Sequence, residues 1–182
     1  MPALDGMPNF VLIMKNWFTY LLALILPGLL LSSCIKKEDY PDVPRIKFKD
    51  LSKIDNGLGY DDKGILTISF TDGDGNIGLA DADTAPPYNP SGMYYYNFFI
   101  TYFEKQNGEY VAVEIPFTNN ARIPLLNTSG YDKPLKGDIS IELYINNFSS
   151  DFDTIRFEAF ITDRDLNHSD TITTPDIIIR KP

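Results

Sequence analysis

Ile65-Leu66-Thr67-Ile68-Ser69-Phe70-Thr71-Asp72-Gly73-Asp74-Gly75-Asn76-Ile77-Gly78 joins a strand pattern directly to a loop pattern. Leu66, Ile68 and Phe70 alternate with Thr67 and Ser69, the two-residue period of a half-buried strand. Glycines then take over, and three oxygen-bearing side chains, Asp72, Asp74 and Asn76, stand at alternate positions. A strand that ends this way delivers several oxygens to one point, as a hard cation requires. The pattern returns as Asp163-Arg164-Asp165-Leu166-Asn167-His168-Ser169, again straight after a strand pattern.

The rest of the chain reads as more strands of the same kind. Alternation or β-prone runs mark strands A (45–49), B (64–71), C (94–105), C′ (109–116), E (138–146), F (153–162) and G (171–180). The run Tyr94–Phe103 is the most β-prone, with aromatics on both faces, and is expected to be a central strand. Asn107-Gly108 is a hairpin turn signal between C and C′. The long segment from Asp81 to Gly92 has no periodicity, so it is expected to be functional or pinned by a ligand. No window outside the N-terminal leader keeps a 3.6-residue period. The predicted fold is an all-β antiparallel sandwich of about seven strands over residues 45–182. Its order resembles the immunoglobulin-like or fibronectin type III sandwich, without a Cys…Trp…Cys signature. That resemblance implies that the B–C and F–G loops leave the same end and that the two acidic segments meet.

Composition agrees with one packed domain behind a leader. The chain has 182 residues, 43% hydrophobic and 13% aromatic. A domain of about 140–150 residues buries roughly 68–70% of its unfolded surface, enough without disulfides. The formal charge of −9 opposes nucleic acid as a partner, because phosphate binding needs a basic face. One histidine, His168, cannot build a His-rich zinc site or a Ser-His-Asp triad of ordinary form. The pair Asp163 and Asp165 could in principle do glycosidase chemistry, but adjacent loop positions suit that poorly. The expected role is therefore non-enzymatic.

Trp17 to Leu31 is an apolar run of 15 preceded by Lys15, shorter than a bilayer span of about 20 residues. It ends in Leu31-Ser32-Ser33-Cys34. This resembles the lipobox of bacterial lipoproteins, which implies cleavage before Cys34, lipidation of that residue and a membrane anchor. On this reading residues 1–33 are a signal peptide, with Met14 an alternative start, and 34–44 are the lipidated cysteine and a tether. A signal-anchor helix with an incidental cysteine is the alternative. Lys36-Lys37-Glu38-Asp39 resembles the surface-export signal of Bacteroidota lipoproteins, which implies the outer face of the outer membrane. A solvated charge run is the plainer reading.

The candidate metal residues are Asp72, Asp74, Asn76, Asp163, Asp165 and Asn167, with Asp81 and Asp83 in second place. Four crowded carboxylates need a cation, either calcium with six to eight oxygens or a basic side chain such as Arg164. Asp72, Asp74 and Asn76 resemble positions 1, 3 and 5 of an EF-hand loop, with Asp83 at position 12. Ile77 replaces the glycine of position 6, so the EF-hand fold itself is rejected. Plain turn formation by Asp, Asn and Gly is the alternative for both loops. Asp83-Thr84-Ala85, Asp153-Thr154-Ile155 and Asp170-Thr171-Ile172 resemble Bacteroidota O-glycosylation sites. The partner is open: a protein or a glycan, the latter through exposed tyrosines as an accessory to carbohydrate uptake.

Overall fold

A computed structural model describes residues 39–126 and 133–182. The chain divides into Met1–Lys37 and a compact unit, Glu38–Pro182. The leader, Cys34 and the Lys36–Glu38 part of the tether lie outside the described residues. Among those described, no helix is long and apolar enough to cross a membrane.

The compact unit is an antiparallel β-sandwich. Its strands are β1 (Arg45–Lys53), β2 (Lys63–Asp72), β3 (Phe98–Gln106), β4 (Glu109–Ala112), β5 (Leu135–Tyr144), β6 (Thr154–Ile161), β7 (Ile172–Thr173) and β8 (Ile177–Ile178). One sheet has the order β1-β2-β5; the other runs β4-β3-β6-β7, with β8 also on β6. In the lettering above these are A-B-E and C′-C-F-G, the partition expected of an immunoglobulin-like sandwich.

Alternation decides which side chains fill the gap between the sheets. β2 buries Leu66, Ile68 and Phe70, β3 buries Phe98, Ile100 and Tyr102, and β6 buries Ile155, Phe157, Ala159 and Ile161. Each buried Leu, Ile or Phe is worth about 1.5–3 kcal/mol of transfer free energy. Ile77, Ile123, Ile145 and Ile179 close the core from the loops and the C-terminal segment.

Several boundaries differ from the sequence expectation, β1, β4 and β5 among them, and three departures have a local reason. β3 begins at Phe98 rather than Tyr94, and just before it the Asn97 side chain bonds the backbone of Ile123. Its Oδ1 accepts from Ile123 N at 2.5 Å and its Nδ2 donates to Ile123 O at 3.1 Å. Strand G is split into β7 and β8 around Pro175, which has no N–H for the ladder. There the Thr174 hydroxyl accepts from Phe157 N at 3.0 Å. Finally, the long loop after β2 is pinned by the protein's own Arg122. That guanidinium donates to the carbonyls of Tyr95 (2.8 Å), Asp83 (2.9 Å) and Ala80 (3.2 Å).

The end at which β2 starts and β5 finishes is tied to the C-terminus through Asp61, which is 1% exposed. Its carboxylate accepts from Lys53 Nζ at 2.7 Å, Arg180 N at 2.8 Å and Arg180 Nη2 at 2.9 Å. Burial alone would raise this carboxyl, but the bonds from Arg180 and Lys53 outweigh it and hold it well below the usual carboxylate range. The folded-state pKa therefore lies below the unfolded value of about 3.9, and the stabilisation is complete above that pH and fades below it. Asp61→Asn is expected to cost about 1–3 kcal/mol at pH 7, with the gap to wild type narrowing as urea unfolding is repeated toward pH 2. An equal gap at both pH values would contradict this assignment.

Candidate metal centre at the loop rim

The two acidic loops meet. Ile77 and Asp163 form an isolated antiparallel bridge between them. Asn76 Nδ2 spans the same junction, donating to Asp74 Oδ2 at 2.8 Å and to Asp165 Oδ2 at 3.1 Å. Ile77 is fully buried, which explains why the EF-hand glycine is missing here. The residue at that position plugs the top of the core, and the sharp turn is shifted to Gly78. Gly78 has φ +102° and lies so close to the Pro124 carbonyl that a Cβ would collide with it.

At the end of β2 the Asp72 side chain turns inward and is 0% exposed. Its Oδ2 accepts from Ile77 N at 3.2 Å. Its Oδ1 is buried and receives no hydrogen bond, and the Oδ1 of Asn76, itself 5% exposed, is in the same condition. A buried acceptor without a donor costs about 1–3 kcal/mol, more for a charged group. Two such oxygens in one loop, four residues apart and among carboxylates, make an arrangement that a hard cation relieves.

Electrostatics at the rim run the same way. Burial, the neighbouring Asp74 and Asp163 push the Asp72 carboxyl up to about 7. Burial also raises Asp74, with Asp42 and Asp165 adding repulsion. Asp163 is raised by burial too, against hydrogen bonds from Asn167 that pull it down. Each of these groups pays to be ionised without a counter-charge.

The other expected residues divide into three kinds. Asn167 braces its own loop, donating through N and Nδ2 to the two oxygens of Asp163, both at 2.8 Å. Asp165 is exposed at the lip, and Asp81 is exposed on the loop beyond. Asp83 is an ion-pair partner: Arg164 grips it with Nη1 and with Nη2 at 3.0 Å, and Ala80 N donates to it at 2.7 Å. That pairing lowers the Asp83 carboxyl and fixes the long loop, helped by Tyr88 OH donating to Arg164 O at 2.5 Å. Among the described residues no group of three His, Cys, Asp or Glu side chains is gathered as a ready coordination sphere. A cation here would draw on Asp72, Asp74, the Asn76 carboxamide and Asp163 or Asp165, all oxygen donors that fit calcium. The loop-ordering Arg122 and the acidic Asp42 escaped the sequence reading, since neither belongs to a spaced motif.

No protein-family profile, curated protein or solved structure matches this chain.

Asp72 supplies a signed test. Its folded-state pKa is above the unfolded value, so its contribution is most favourable below about pH 4 and is lost as pH rises toward 7. In chelator, thermal melts between pH 4 and 8 are expected to show Asp72→Asn gaining on wild type by a few kcal/mol as pH increases. A difference independent of pH would mean that Asp72 is not held under repulsion.

Proposed function

We propose that this chain is a lipid-anchored cell-envelope module for binding or adhesion, with a structural calcium ion in its loop rim. The observation that supports it most is the pair of buried, donor-free oxygens on Asp72 and Asn76 beneath the rim carboxylates. Anchoring through Cys34 rests on the lipobox resemblance, and surface exposure on the outer membrane rests on the charged residues after it. Calcium acts here by mass action on the folded state and does no chemistry.

The end opposite the rim suits a partner. Lys63, at the start of β2, pairs with Tyr144 on β5, roughly 30 Å along the strand from Asp72. There Phe117 (55% exposed), Tyr144 and Phe148 (59% exposed) surround a small cavity of about 110 Å³ with Asp62 and Asn146. Exposed aromatics rimmed by polar groups mark interaction surfaces. The second reading, an accessory that binds glycan for carbohydrate uptake, draws on the same rings. The outer face of β3 and β6 supports it less, because its rings pack on each other: Phe99 stacks on Phe160 at 4.8 Å and Phe160 on His168 at 5.1 Å.

Two measurements test the proposal. With free calcium at 100 times its Kd, wild type should gain about 2.7 kcal/mol over the chelated form. That corresponds to a rise of on the order of 5–10 °C in Tm, and Asp72→Ala should abolish the difference. Superimposable wild-type melts in calcium and chelator would remove the ion from the proposal. For the anchor, Cys34→Ser is expected to lose incorporation of labelled palmitate and release the protein from membranes; a wild type without palmitate and a Cys34→Ser variant that stays in the membrane would return the leader to a signal-anchor helix.

A further inference from the structure

The chain approaches β1 across the rim. Pro44 and Ile46 are buried, so the chain is fixed to the body of the domain from Pro44 onward. Before that point a short strap, Tyr40–Val43, crosses the first glycine of the acidic loop. Gly73 N donates to Pro41 O at 2.8 Å. A Cβ at Gly73 would collide with the carbonyl oxygens of Tyr40 and Pro41, so this glycine is required by the close passage of the strap. Asp42 is exposed next to this crossing, and its charge reaches Asp74.

The strap therefore carries a fifth carboxylate to a place where Asp72, Asp74, Asp163 and Asp165 already repel one another. Backbone contacts at Gly73 hold it there, although electrostatics alone would drive it off. The loop that it crosses also carries the donor-free oxygens of Asp72 and Asn76. Resting on the reading of the rim as a calcium site, we propose that Asp42 is a further residue of that site, supplied by the strap, so that one bound calcium ion also fastens the strap to the rim. Calcium then decides whether the last residues before the domain are clamped or free. It thereby sets the stiffness of the joint between domain and tether. Lowering external calcium loosens the joint while the strands stay folded.

Calorimetric titration of the full chain in detergent with calcium chloride, after removal of divalent ions, tests this. Asp42→Asn is expected to weaken binding about tenfold, the usual scale for loss of one charged group from such a site. Asp39→Asn, at an exposed acid just before the strap, should bind like wild type. Amide hydrogen exchange at Gly73, whose N–H is bonded to the strap, is expected to slow on adding calcium in wild type and not in Asp42→Asn. If wild type binds calcium but Asp42→Asn matches it in affinity and in Gly73 exchange, the strap has no part in the site and only this inference falls. If wild type takes up no calcium, the rim reading falls and the inference with it.

Discussion

Asp72 is a carboxylate with no exposed surface, placed where β2 runs out and among three other acids. Much of the top of the domain is arranged around holding it. Ile77 N and the bridge to Asp163 fix one of its oxygens and close the two loops over it. Asn76 ties the lips together by donating across them. None of these contacts supplies positive charge, and the nearby Arg164 is engaged with Asp83. Burial and repulsion together raise the carboxyl, and a calcium ion relieves both at once.

The contrast with the far end shows what a self-sufficient buried acid looks like. Asp61 is as deeply placed as Asp72, yet it has Lys53 and Arg180 on its oxygens and is pulled down instead of up. Glu104, also buried, is satisfied by Asn147, Gln106 and Ser150 at 2.8–3.0 Å. Among the described residues Asp61 and Glu104 are thus balanced by the domain's own side chains, whereas Asp72 is not. Asp72 is raised by burial and by its acidic neighbours, whereas Asp61 has cationic partners that outweigh its burial, and this difference separates a structural acid from a candidate ligand.

How much of this was legible in the sequence follows from the range of each signal. Period-two alternation in Leu66–Phe70 and Ile155–Ile161 is a local property, so the strands and the core were readable. The strand order then brought the loops after β2 and β6 to one end, and the meeting of Asp72–Asn76 with Asp163–Asn167 followed from it. Side-chain substitution for backbone was not readable. The Asn97 side chain bonded to the Ile123 backbone and the Thr174 hydroxyl accepting from Phe157 N depend on neighbours far along the chain. For the same reason the long loop looked like a ligand-held segment, when Arg122 holds it by four carbonyls from more than twenty residues away. Asn167 matched a ligand by spacing but spends its amide on Asp163. Asp42 had no motif at all and became visible only where the strap crosses Gly73.

A rim that closes on a cation would fix two loops and, on the inference above, the strap before β1. The exposed aromatics at the opposite end are the surface proposed above for a partner. The most direct measurement is anomalous diffraction from crystals of the domain grown with calcium. The expected result is one ion at the rim with six to eight oxygen ligands at about 2.3–2.6 Å, Asp72 Oδ1 among them. A rim without an ion, in which Asp72 is protonated and hydrogen-bonded through Oδ1 to a neighbouring oxygen, would contradict it.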